Sequence, residues 1–594
     1  MTRRLELPQQ PALPFAVQTL VNPSQATLRE LALKHTPYCV QTVHGSINKV
    51  ARNKARMAQY TYIIDRAGKP EAYSHATIGA EQAQQLIDQQ AAYVRDQGQL
   101  IVVEGYVGVG PRAVPVQWCY TLEAANIAAM QQVLAFPRER VEGPDAATRA
   151  FTPAFRLVYT PEFVPEMPGK QAIIVDLDNY VTYIMGADYF GESKKGALRM
   201  LAALMYRNGG LVMHAGAKEI IDGDGRVTMG ILGLSGTGKT TTTFSKQGDA
   251  TKPVQDDMIT LWPGGEISVT ENGCFAKTWG LAEDTEPVIY RGTISSEAWI
   301  ENVYLDADGN PDFFKRDLSP ADVERLRDTL IGTGAAANNV DAYIAGEVKF
   351  ADVVDDGIPK DGWDFVMWTE NGRSIIPMSA VEDAAVLEEL EDLHSLGILN
   401  RDEGPDAATP GLVRFTSPEQ AAGYLMLGET SKTSAAGKER GKTRSPFTQP
   451  FFPLAHSLQA QRFSELAATF GATSMWLMNT GYIGGDARGE ERGEALKVKI
   501  RHSSAMLEAM LGGEIVWATD PDFGYEIVDV DAPANAALLE RVPGQILQPR
   551  RFFEESGRMD EYTDWVARMK AERKAFLEKY DVAPAIIDAV ARGA

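Results

Sequence analysis

Short apolar runs alternate with helix-period stretches along most of the chain, and this alternation predicts a mixed α/β protein. In the first third, the pattern predicts strands at residues 60–64, 100–104 and 114–120, two more strands within 171–185, and helices at 24–34, 81–97, 122–136 and 194–206. The pair Gly209-Gly210 is a typical stop signal for the last helix. We therefore predict an N-terminal α/β lobe over residues 1–210.

A second lobe is predicted over residues 211–594, where the pattern becomes richer in strands. It begins with the apolar run 211–214, a turn at 222–225 and a buried strand at 227–232. Residues 318–362 look like an inserted segment that opens with a helix capped by Ser319. The charged stretch from Glu554 onward is predicted to be a solvated surface helix.

A phosphate-binding loop, or P-loop, follows the strand at 227–232. The run Gly233-Leu-Ser-Gly-Thr-Gly-Lys-Thr240 matches G-x-x-x-x-G-K-[ST]. Its backbone N–H groups can point at phosphate oxygens, Lys239 adds a positive charge and the Thr240 hydroxyl can hold Mg²⁺. The predicted nucleotide-binding residues here are Gly233, Leu234, Ser235, Gly236, Thr237, Gly238, Lys239, Thr240 and Thr241. A Gly-rich turn without a ligand is the simpler alternative.

Composition and charge narrow the classes of partner. The 594 residues are 44% hydrophobic and 23% charged, as in ordinary globular proteins, and the formal net charge of -22 argues against nucleic acid or an anionic membrane as a general partner. The three cysteines are widely spaced, without a C-x-x-C pair, so neither a zinc site nor a disulfide framework is indicated. With no apolar run of about 18 residues, the chain is expected to be a cytoplasmic enzyme.

Several separated stretches occur in an order that is found in one enzyme family. They are residues 189–196, 213–214, 233–241, 256–257, 272–278, 286–290, 301–303 and 369–373, followed by 417–421, 430–433, 452–454 and 476–481. In this order they resemble the ATP-dependent phosphoenolpyruvate carboxykinases over most of residues 50–510. The phosphate loop alone would not separate this family from other kinases, but the ordered set does.

The resemblance implies a two-lobed carboxykinase-like fold with the P-loop in the C-terminal lobe. It implies conversion of oxaloacetate and ATP to phosphoenolpyruvate, CO₂ and ADP, in gluconeogenesis or anaplerosis, with small molecules as the only partners and a monomer or small homo-oligomer as the assembly. It also implies two cations. Lys195, His214 and Asp257 would ligate a transition metal, usually Mn²⁺, and Thr240 would hold the Mg²⁺ that accompanies ATP.

The resemblance also assigns roles to charged residues around the transferred phosphate. Lys194, Lys195, Lys239 and Arg373 would be catalytic, Arg56, Tyr189, Lys195 and Arg373 would bind substrate, and Glu286 and Arg373 would face the nucleotide. Taken alone, each has a simpler explanation: most lysines are surface charges, a histidine such as His214 can be a core residue, and paired aspartates are commonly a turn. For Glu286, an outer-shell role is an alternative to direct contact.

The loop that should bind the substrate carboxylate departs from the family. The family has Gly-Arg-Ser-Pro-Lys-Asp-Lys where this chain has Ala55-Arg56-Met-Ala-Gln-Tyr-Thr61, so only the arginine is retained. Arg56 can still bind a carboxylate with two parallel hydrogen bonds, and Arg52 competes for the role. Two alternatives therefore stay open: a related kinase that acts on another small carboxylate or a protein, and a non-catalytic protein that binds ATP.

Overall fold

The computed structural model describes residues 5–53, 58–222, 225–233, 239–244, 251–355, 358–432, 441–470 and 474–591. Strands and helices alternate through the described residues, so the predicted mixed α/β class is confirmed. Individual predictions also agree: β-structure covers Val114–Tyr120, and helix covers Phe190–Arg207. The helix predicted at 122–136 is shorter, because a 3₁₀ turn precedes it and Phe136 already begins a strand.

Elements up to residue 269 are numbered here in chain order. The strands are β1 Gln18–Val21, β2 Cys39–Gln41, β3 Ile47–Lys49, β4 Thr61–Asp65, β5 Ala76–Gly79, β6 Gln99–Val107, β7 Val114–Tyr120, β8 Phe136–Pro137, β9 Phe155–Thr160, β10 Ala172–Asp176, β11 Val181–Met185, β12 Leu211–Met213, β13 Ala215–Asp222, β14 Gly225–Gly233, β15 Thr251–Gln255, β16 Ile259–Leu261 and β17 Ile267–Val269. The helices are α1 Gln25–His35, α2 Ala80–Gln97, α3 Ala125–Leu134, α4 Arg138–Glu142, α5 Phe190–Arg207 and α6 Lys239–Phe244.

The remaining elements continue this numbering. The strands are β18 Gly273–Lys277, β19 Trp299–Glu301, β20 Tyr304–Leu305, β21 Pro311–Asp312, β22 Val354–Asp355, β23 Ile358–Pro359, β24 Arg373–Pro377, β25 Leu393–Asn400, β26 Leu412–Arg414, β27 Thr430–Lys432, β28 Gly441–Thr443, β29 Ser474–Asn479, β30 Tyr482–Ile483, β31 Leu496–Lys497, β32 Trp517–Thr519 and β33 Glu526–Val528. The helices are α7 Pro287–Thr293, α8 Pro320–Arg325, α9 Arg327–Gly332, α10 Ala337–Ile344, α11 Phe350–Val353, α12 Pro418–Leu427, α13 His456–Ala467, α14 Ala487–Glu491, α15 Ile500–Leu511, α16 Ala536–Leu539, α17 Gly544–Leu547, α18 Pro549–Glu555, α19 Met559–Glu578 and α20 Pro584–Ala591. In the described part of the chain, no helix is both long and apolar enough to cross a membrane.

By packing, the described residues form two compact units. The first takes those within 1–208 and 268–384, and the second takes those within 209–267 and 385–591. The sequence prediction counted residues 268–384 with the C-terminal lobe, whereas they pack with the first unit. The division into domains 1–210 and 211–594 stays a prediction.

The first unit contains a large mixed sheet in the order β1-β6-β7-β9-β11-β10-β4-β5. Every residue of β9 and β10 is buried, as is typical of strands covered on both faces. Ala83 and Leu86 of α2 pack into the core that contains Ile64 and Ile78, and α5 contacts β9, β10 and β11. The helix that carries Lys194 and Lys195 is thus fixed by a buried sheet.

A second sheet of the first unit, in the order β18-β24-β19-β3-β2, carries a row of charges. Its register aligns Lys277 with Arg373, Arg373 with Glu301, and Glu301 with Lys49. Directly opposed residues of neighbouring strands lie on the same face. Three basic side chains and one carboxyl group therefore stand side by side across four strands.

The sheet of the second unit runs in the order β15-β13-β14-β25-β29-β26-β33-β32. Strands β14, β25 and β29 are parallel neighbours near its middle. The predicted phosphate loop follows the carboxyl end of β14, and α6 begins at Lys239. Open α/β sheets bind ligands at this end of their strands, so the fold places Lys239 where a nucleotide phosphate is expected.

A small helical module within the first unit contains α8 to α11, inside the segment predicted to be inserted. Ser319 caps α8 through a reciprocal pair of hydrogen bonds with Asp322. Val323, Leu330 and Val340 bury their side chains in one core with Val50 and Phe365, which lie outside the module. The module is therefore packed against other parts of the first unit.

Helix α19, near the C-terminus, corrects the prediction of a solvated surface element from Glu554 onward. One face of α19 is buried by residues spaced three or four apart, namely Tyr562, Trp565, Met569, Arg573 and Leu577. It contacts α12, α18 and α20 of the second unit. The opposite face is charged, and Arg573 places a charge on the buried face as well. For this reason the composition of the segment did not reveal the apolar stripe.

Candidate active site

Three side chains of the second unit meet at one carboxylate. Nε2 of His214 lies 2.9 Å from Oδ1 of Asp257, and Nζ of Lys239 lies 2.9 Å from the same oxygen. His214 follows β12, Asp257 follows β15 and Lys239 begins α6, so the ends of three elements bring them together. The structure thus brings together three residues that the sequence singled out. Two of them, His214 and Asp257, are 43 residues apart along the chain.

Both ring nitrogens of His214 face oxygen atoms that can only accept hydrogen bonds. Nδ1 lies 3.2 Å from the carbonyl oxygen of Phe447, and Nε2 faces the carboxylate of Asp257. A neutral imidazole has one N–H and can satisfy only one of them. Burial lowers the pKa of His214, and the charge of Lys239 lowers it further, which disfavours the doubly protonated ring. The single N–H can donate through Nε2 to Asp257, or through Nδ1 to Phe447, and the second choice leaves the Nε2 lone pair facing the carboxylate.

In the tautomer with Nδ1–H, a divalent cation between Nε2 and Oδ1 would be held by lone pairs of both atoms. An imidazole nitrogen and a carboxylate oxygen are both common metal ligands, and ligands about 2.1 Å from one cation and at right angles to each other stand about 3 Å apart. The 2.9 Å separation of Nε2 and Oδ1 fits this arrangement. Within the described ranges, no group of three or more His, Cys, Asp or Glu side chains could hold a metal.

Several predicted binding residues lie wholly or partly outside the described residues. Leu234, Ser235, Gly236, Thr237 and Gly238 of the phosphate loop are outside them, and so is Arg56. Gly233 is the buried last residue of β14, and Thr240 and Thr241 continue α6 after Lys239. The strand before the loop and the helix after it are where the sequence predicted them.

The first unit gathers a second set of predicted residues around the ring of Phe275. Nζ of Lys194 lies 5.2 Å from the ring centroid, and the Arg373 guanidinium lies 5.7 Å from it. Lys194 also pairs with Glu271 at 3.1 Å and is only 2% exposed. Two cations of the predicted set therefore face one aromatic ring, a geometry that favours positive charge.

Tyr189 and Lys195 form a further pair in the first unit. Nζ of Lys195 lies 6.0 Å from the ring centroid of Tyr189. The Tyr189 side chain is buried, and this burial raises the pKa of its hydroxyl. Tyr189 immediately precedes α5, so its ring is placed by the same helix that carries both lysines.

The structure adds Lys277 and Glu301 to the neighbourhood of Arg373. Burial lowers the pKa of Lys277, and the nearby charge of Arg373 lowers it further. Glu301 is fully buried, its Oε1 accepts the N–H of Phe190 at 3.1 Å, and burial raises its pKa to about 8. Both residues lie in motifs on which the family resemblance rests, so the sequence could have marked them as candidates. Nothing local in the sequence placed them beside Arg373.

Arg52 is engaged in the fold of the first unit. Its guanidinium donates to Glu162 at 2.8 Å and to the Pro161 carbonyl at 2.6 Å. Its backbone N–H and that of Asn53 donate to the carboxylate of Asp188, at 2.9 and 3.1 Å. These contacts hold the turn after β3, and the competition of Arg52 with Arg56 for the substrate stays a prediction.

Glu286 lies at the start of α7 in the first unit and is partly exposed. Its backbone N–H donates to the carbonyl oxygen of Ala282 at 3.0 Å. The second unit contains the strand and helix that flank the phosphate loop. The predicted role of Glu286 in nucleotide binding stays a prediction.

Comparisons with known proteins extend over most of the chain. A family model described as phosphoenolpyruvate carboxykinase matches residues 17–321 and 354–532. The chain is 28% identical over 444 residues to a phosphoenolpyruvate carboxykinase (ATP) of Thermus thermophilus, covering 72% of this chain and 70% of that protein. It is 27% identical to one of Bacillus pumilus, covering 86% and 84%, and 28% identical to one of Caldanaerobacter subterraneus, covering 87% and 86%. The gap at 322–353 falls within the helical module.

Proposed function

Because the chain belongs to the phosphoenolpyruvate carboxykinase family, we propose that it converts oxaloacetate and ATP to phosphoenolpyruvate, CO₂ and ADP. The observation that carries the proposal is the meeting of His214, Lys239 and Asp257 at one carboxylate oxygen. A lysine that can bind phosphate lies beside a histidine and an aspartate that can bind a metal. This arrangement suits the transfer of a phosphoryl group next to a divalent cation.

The nucleotide is bound by the second unit in this proposal. The γ-phosphate of ATP lies at Lys239, whose ammonium group would exchange its contact with Asp257 for phosphate oxygens. The predicted loop residues supply backbone N–H groups, and Thr240 holds the Mg²⁺ of ATP. The start of α6 at Lys239, directly after the loop, supports this assignment.

A second divalent cation, Mn²⁺, is assigned to Nε2 of His214 and a carboxylate oxygen of Asp257. Lys195, as a neutral amine, is the predicted third ligand. When bound, the cation supplies positive charge that stabilises an enolate. In the tautomer whose Nδ1–H donates to the Phe447 carbonyl, Nε2 is unprotonated and can bind the cation.

Decarboxylation and phosphoryl transfer follow in sequence. The bond between C3 of oxaloacetate and its departing carboxylate breaks, CO₂ leaves, and the electron pair remains as the enolate of pyruvate. The enolate oxygen then forms a bond to the γ-phosphorus while the bond to ADP breaks. Lys194, Lys239 and Arg373 neutralise charge around the transferred group, and Arg56 and Tyr189 position the substrate.

A coupled assay with oxaloacetate, ATP, Mg²⁺ and Mn²⁺ tests the proposal, with phosphoenolpyruvate as the measured product. Asp257→Asn should lower turnover and weaken Mn²⁺ binding, while Asp392→Asn, an exposed aspartate of the same unit, should change neither. ATP consumption without oxaloacetate decarboxylation under any metal condition would favour the kinase with another substrate. Binding of ATP without any turnover would favour the non-catalytic alternative.

A further inference from the structure

The start of α5 is held by a residue from a distant strand. The first N–H groups of a helix have no partner inside the helix, and Tyr189, which precedes α5, makes no side-chain cap. Instead, the N–H of Phe190 donates to Oε1 of Glu301 at 3.1 Å, from 111 residues away in the sequence. The Tyr159 hydroxyl donates to the Tyr189 carbonyl at 3.0 Å. Both sheets of the first unit therefore hold this turn.

Glu301 reaches α5 from a fixed position in β19. It is fully buried and lies between Arg373 of β24 and Lys49 of β3 in the sheet register. The next residue, Asn302, donates its N–H to the Lys49 carbonyl at 2.8 Å, and its Oδ1 accepts the N–H of Ala51 at 2.9 Å. The end of β19 is thus tied to its neighbour, and the Glu301 side chain extends from a rigid base.

The start of α5 and Arg373 contact the same aromatic ring. The ring centroids of Tyr189 and Phe190 lie 6.4 and 5.3 Å from that of Phe275, and the Arg373 guanidinium lies 5.7 Å from it. In the part of the chain that the structure describes, Arg373 forms no ion pair with a carboxylate, and its Nη1 donates to the Gly372 carbonyl at 3.0 Å. Its positive charge therefore remains available to an anion.

The Glu301 carboxyl group can hold α5 without neutralising Arg373. Burial raises the pKa of Glu301 to about 8, and the charge of Asp188 adds to this effect, whereas the N–H of Phe190 and the charges of Lys49 and Arg373 oppose it. Oε2 of Glu301 is buried without a hydrogen-bond partner among the described residues, a setting in which an ionised carboxylate is costly. At neutral pH the group is mostly an uncharged acid that accepts one N–H.

We propose that Glu301 is a positioning residue, which holds the start of α5, and with it Tyr189, in a fixed place beside Arg373. Tyr189 and Arg373 are assigned to substrate binding, so the inference rests on the proposed function. Glu301 itself acts only through these neighbours. A displacement of about 1 Å in a group that positions a substrate can lower the rate about 100-fold.

The test compares Glu301→Leu, Glu301→Gln and Glu297→Leu in the full chain. Leucine removes the hydrogen-bond acceptor, whereas glutamine keeps an oxygen at the same reach and is uncharged. Glu297, an exposed residue before β19, is the matched control. Glu301→Leu should lower kcat/KM for oxaloacetate by about 10- to 100-fold, mainly through a higher KM. Glu301→Gln should retain most of the wild-type value, and Glu297→Leu should retain all of it.

Hydrogen exchange followed by mass spectrometry gives a readout that does not depend on activity. The amides of residues 189–193 should exchange faster in Glu301→Leu than in wild type, because the Phe190 N–H loses its acceptor. Exchange in Glu301→Gln and Glu297→Leu should match wild type. ATP affinity should stay near the wild-type value in all three variants, because the nucleotide is assigned to the second unit.

Glu301→Asp guards against a leucine variant that does not fold. It keeps a carboxyl group but is one methylene shorter, so KM and amide exchange should change in the same direction as in Glu301→Leu. A folded Glu301→Leu protein with wild-type KM and exchange overturns the inference, and so does an equal loss of kcat/KM in Glu301→Gln and Glu301→Asp. If the wild type forms no phosphoenolpyruvate, the proposed function fails instead, and the exchange measurement still decides whether Glu301 holds α5.

Discussion

At the scale of single residues, neighbours decide what His214, Asp257 and Lys239 can do. Asp257 accepts from Lys239 and faces His214 through the same oxygen, so removal of one partner leaves the other in place. The carboxylate would keep one partner. Substitution of the other should therefore avoid the large loss of stability that follows when a buried charge is left without a partner. Functional substitutions at this point should therefore separate activity from stability.

Lys239→Met should abolish measurable phosphoryl transfer while the protein remains folded. Loss of one charge that stabilises a transition state typically costs about 100-fold or more in kcat. The measurement is kcat in the coupled assay, together with the melting temperature. Lys252→Met on β15 is the matched control and should keep full activity. Full activity in Lys239→Met would refute the assignment of the phosphate loop.

His456 should make the protein less stable in mild acid. Burial lowers its pKa from 6.5 to about 4, so between these values the unfolded chain binds a proton that the folded chain does not. Stability therefore falls as the pH decreases through this window, by about 2 kcal/mol between pH 7 and pH 5 from this group. Urea unfolding at both pH values measures the difference.

His456→Gln should remove this share of the acid sensitivity. His44→Gln, at an exposed position of the first unit, should leave the dependence on pH unchanged. An identical loss of stability in wild type and His456→Gln would show that another group is responsible.

The sequence singled out candidate residues for the site but not their pairings. Motifs placed Lys194, Lys239 and Arg373 among charged candidates, because phosphate chemistry demands particular residue types at fixed spacing. The sharing of one oxygen of Asp257 and the alignment of Glu301 with Arg373 arise from contacts between distant strands. No local pattern encodes such contacts.

At the scale of elements, α19 shows how one residue can mask a pattern. Its buried positions follow the helical repeat, but Arg573 occupies one of them and charges cover the other face. An arginine is buried at low cost only when a carboxylate meets it, and Glu429 lies 144 residues away in sequence. The helix was predictable, whereas its buried face depended on a partner that the local sequence does not reveal.

Trp565→Ala should destabilise the second unit by about 3–5 kcal/mol, since it removes a large side chain that is 1% exposed. Asp564→Ala, on the neighbouring exposed position, should change the free energy of unfolding by less than about 0.5 kcal/mol. Chemical unfolding, followed by the circular dichroism of the backbone, measures both free energies without depending on the tryptophan signal. Equal effects of the two substitutions would contradict the burial of this face of α19 and would favour the predicted solvated helix.

At the scale of the whole molecule, neither unit is a continuous piece of chain. Strands β2 and β3 come from the first stretch, whereas β18, β19 and β24 of the same sheet come from residues 273–377. Apolar periodicity can predict each strand but not which distant strand completes its sheet. For this reason the sequence placed a boundary near residue 210 without predicting that the chain returns to the first unit.

Separate expression of residues 1–208 and 209–594 should give poorly folded fragments. The first fragment lacks β19, the parallel partner of β3, and the second carries β18, β24 and β19 without β3 and β2 of the same sheet. Both should bind a hydrophobic dye and show weak protection of amides from exchange. Co-expression of the two fragments is the control and should restore folded protein. A well-folded fragment 1–208 would contradict the packing of residues 268–384 with the first unit.

The discontinuous first unit also sets an order of events during synthesis. Residues 1–208 leave the ribosome before the strands that complete their second sheet. At about 5–20 residues per second, translation of residues 209–384 takes roughly 10 to 35 s. During that interval β3 has an unpaired edge, which is the kind of surface that chaperones bind and that promotes aggregation. Slow codons after residue 208 would lengthen this exposure, whereas faster translation of that stretch would shorten it.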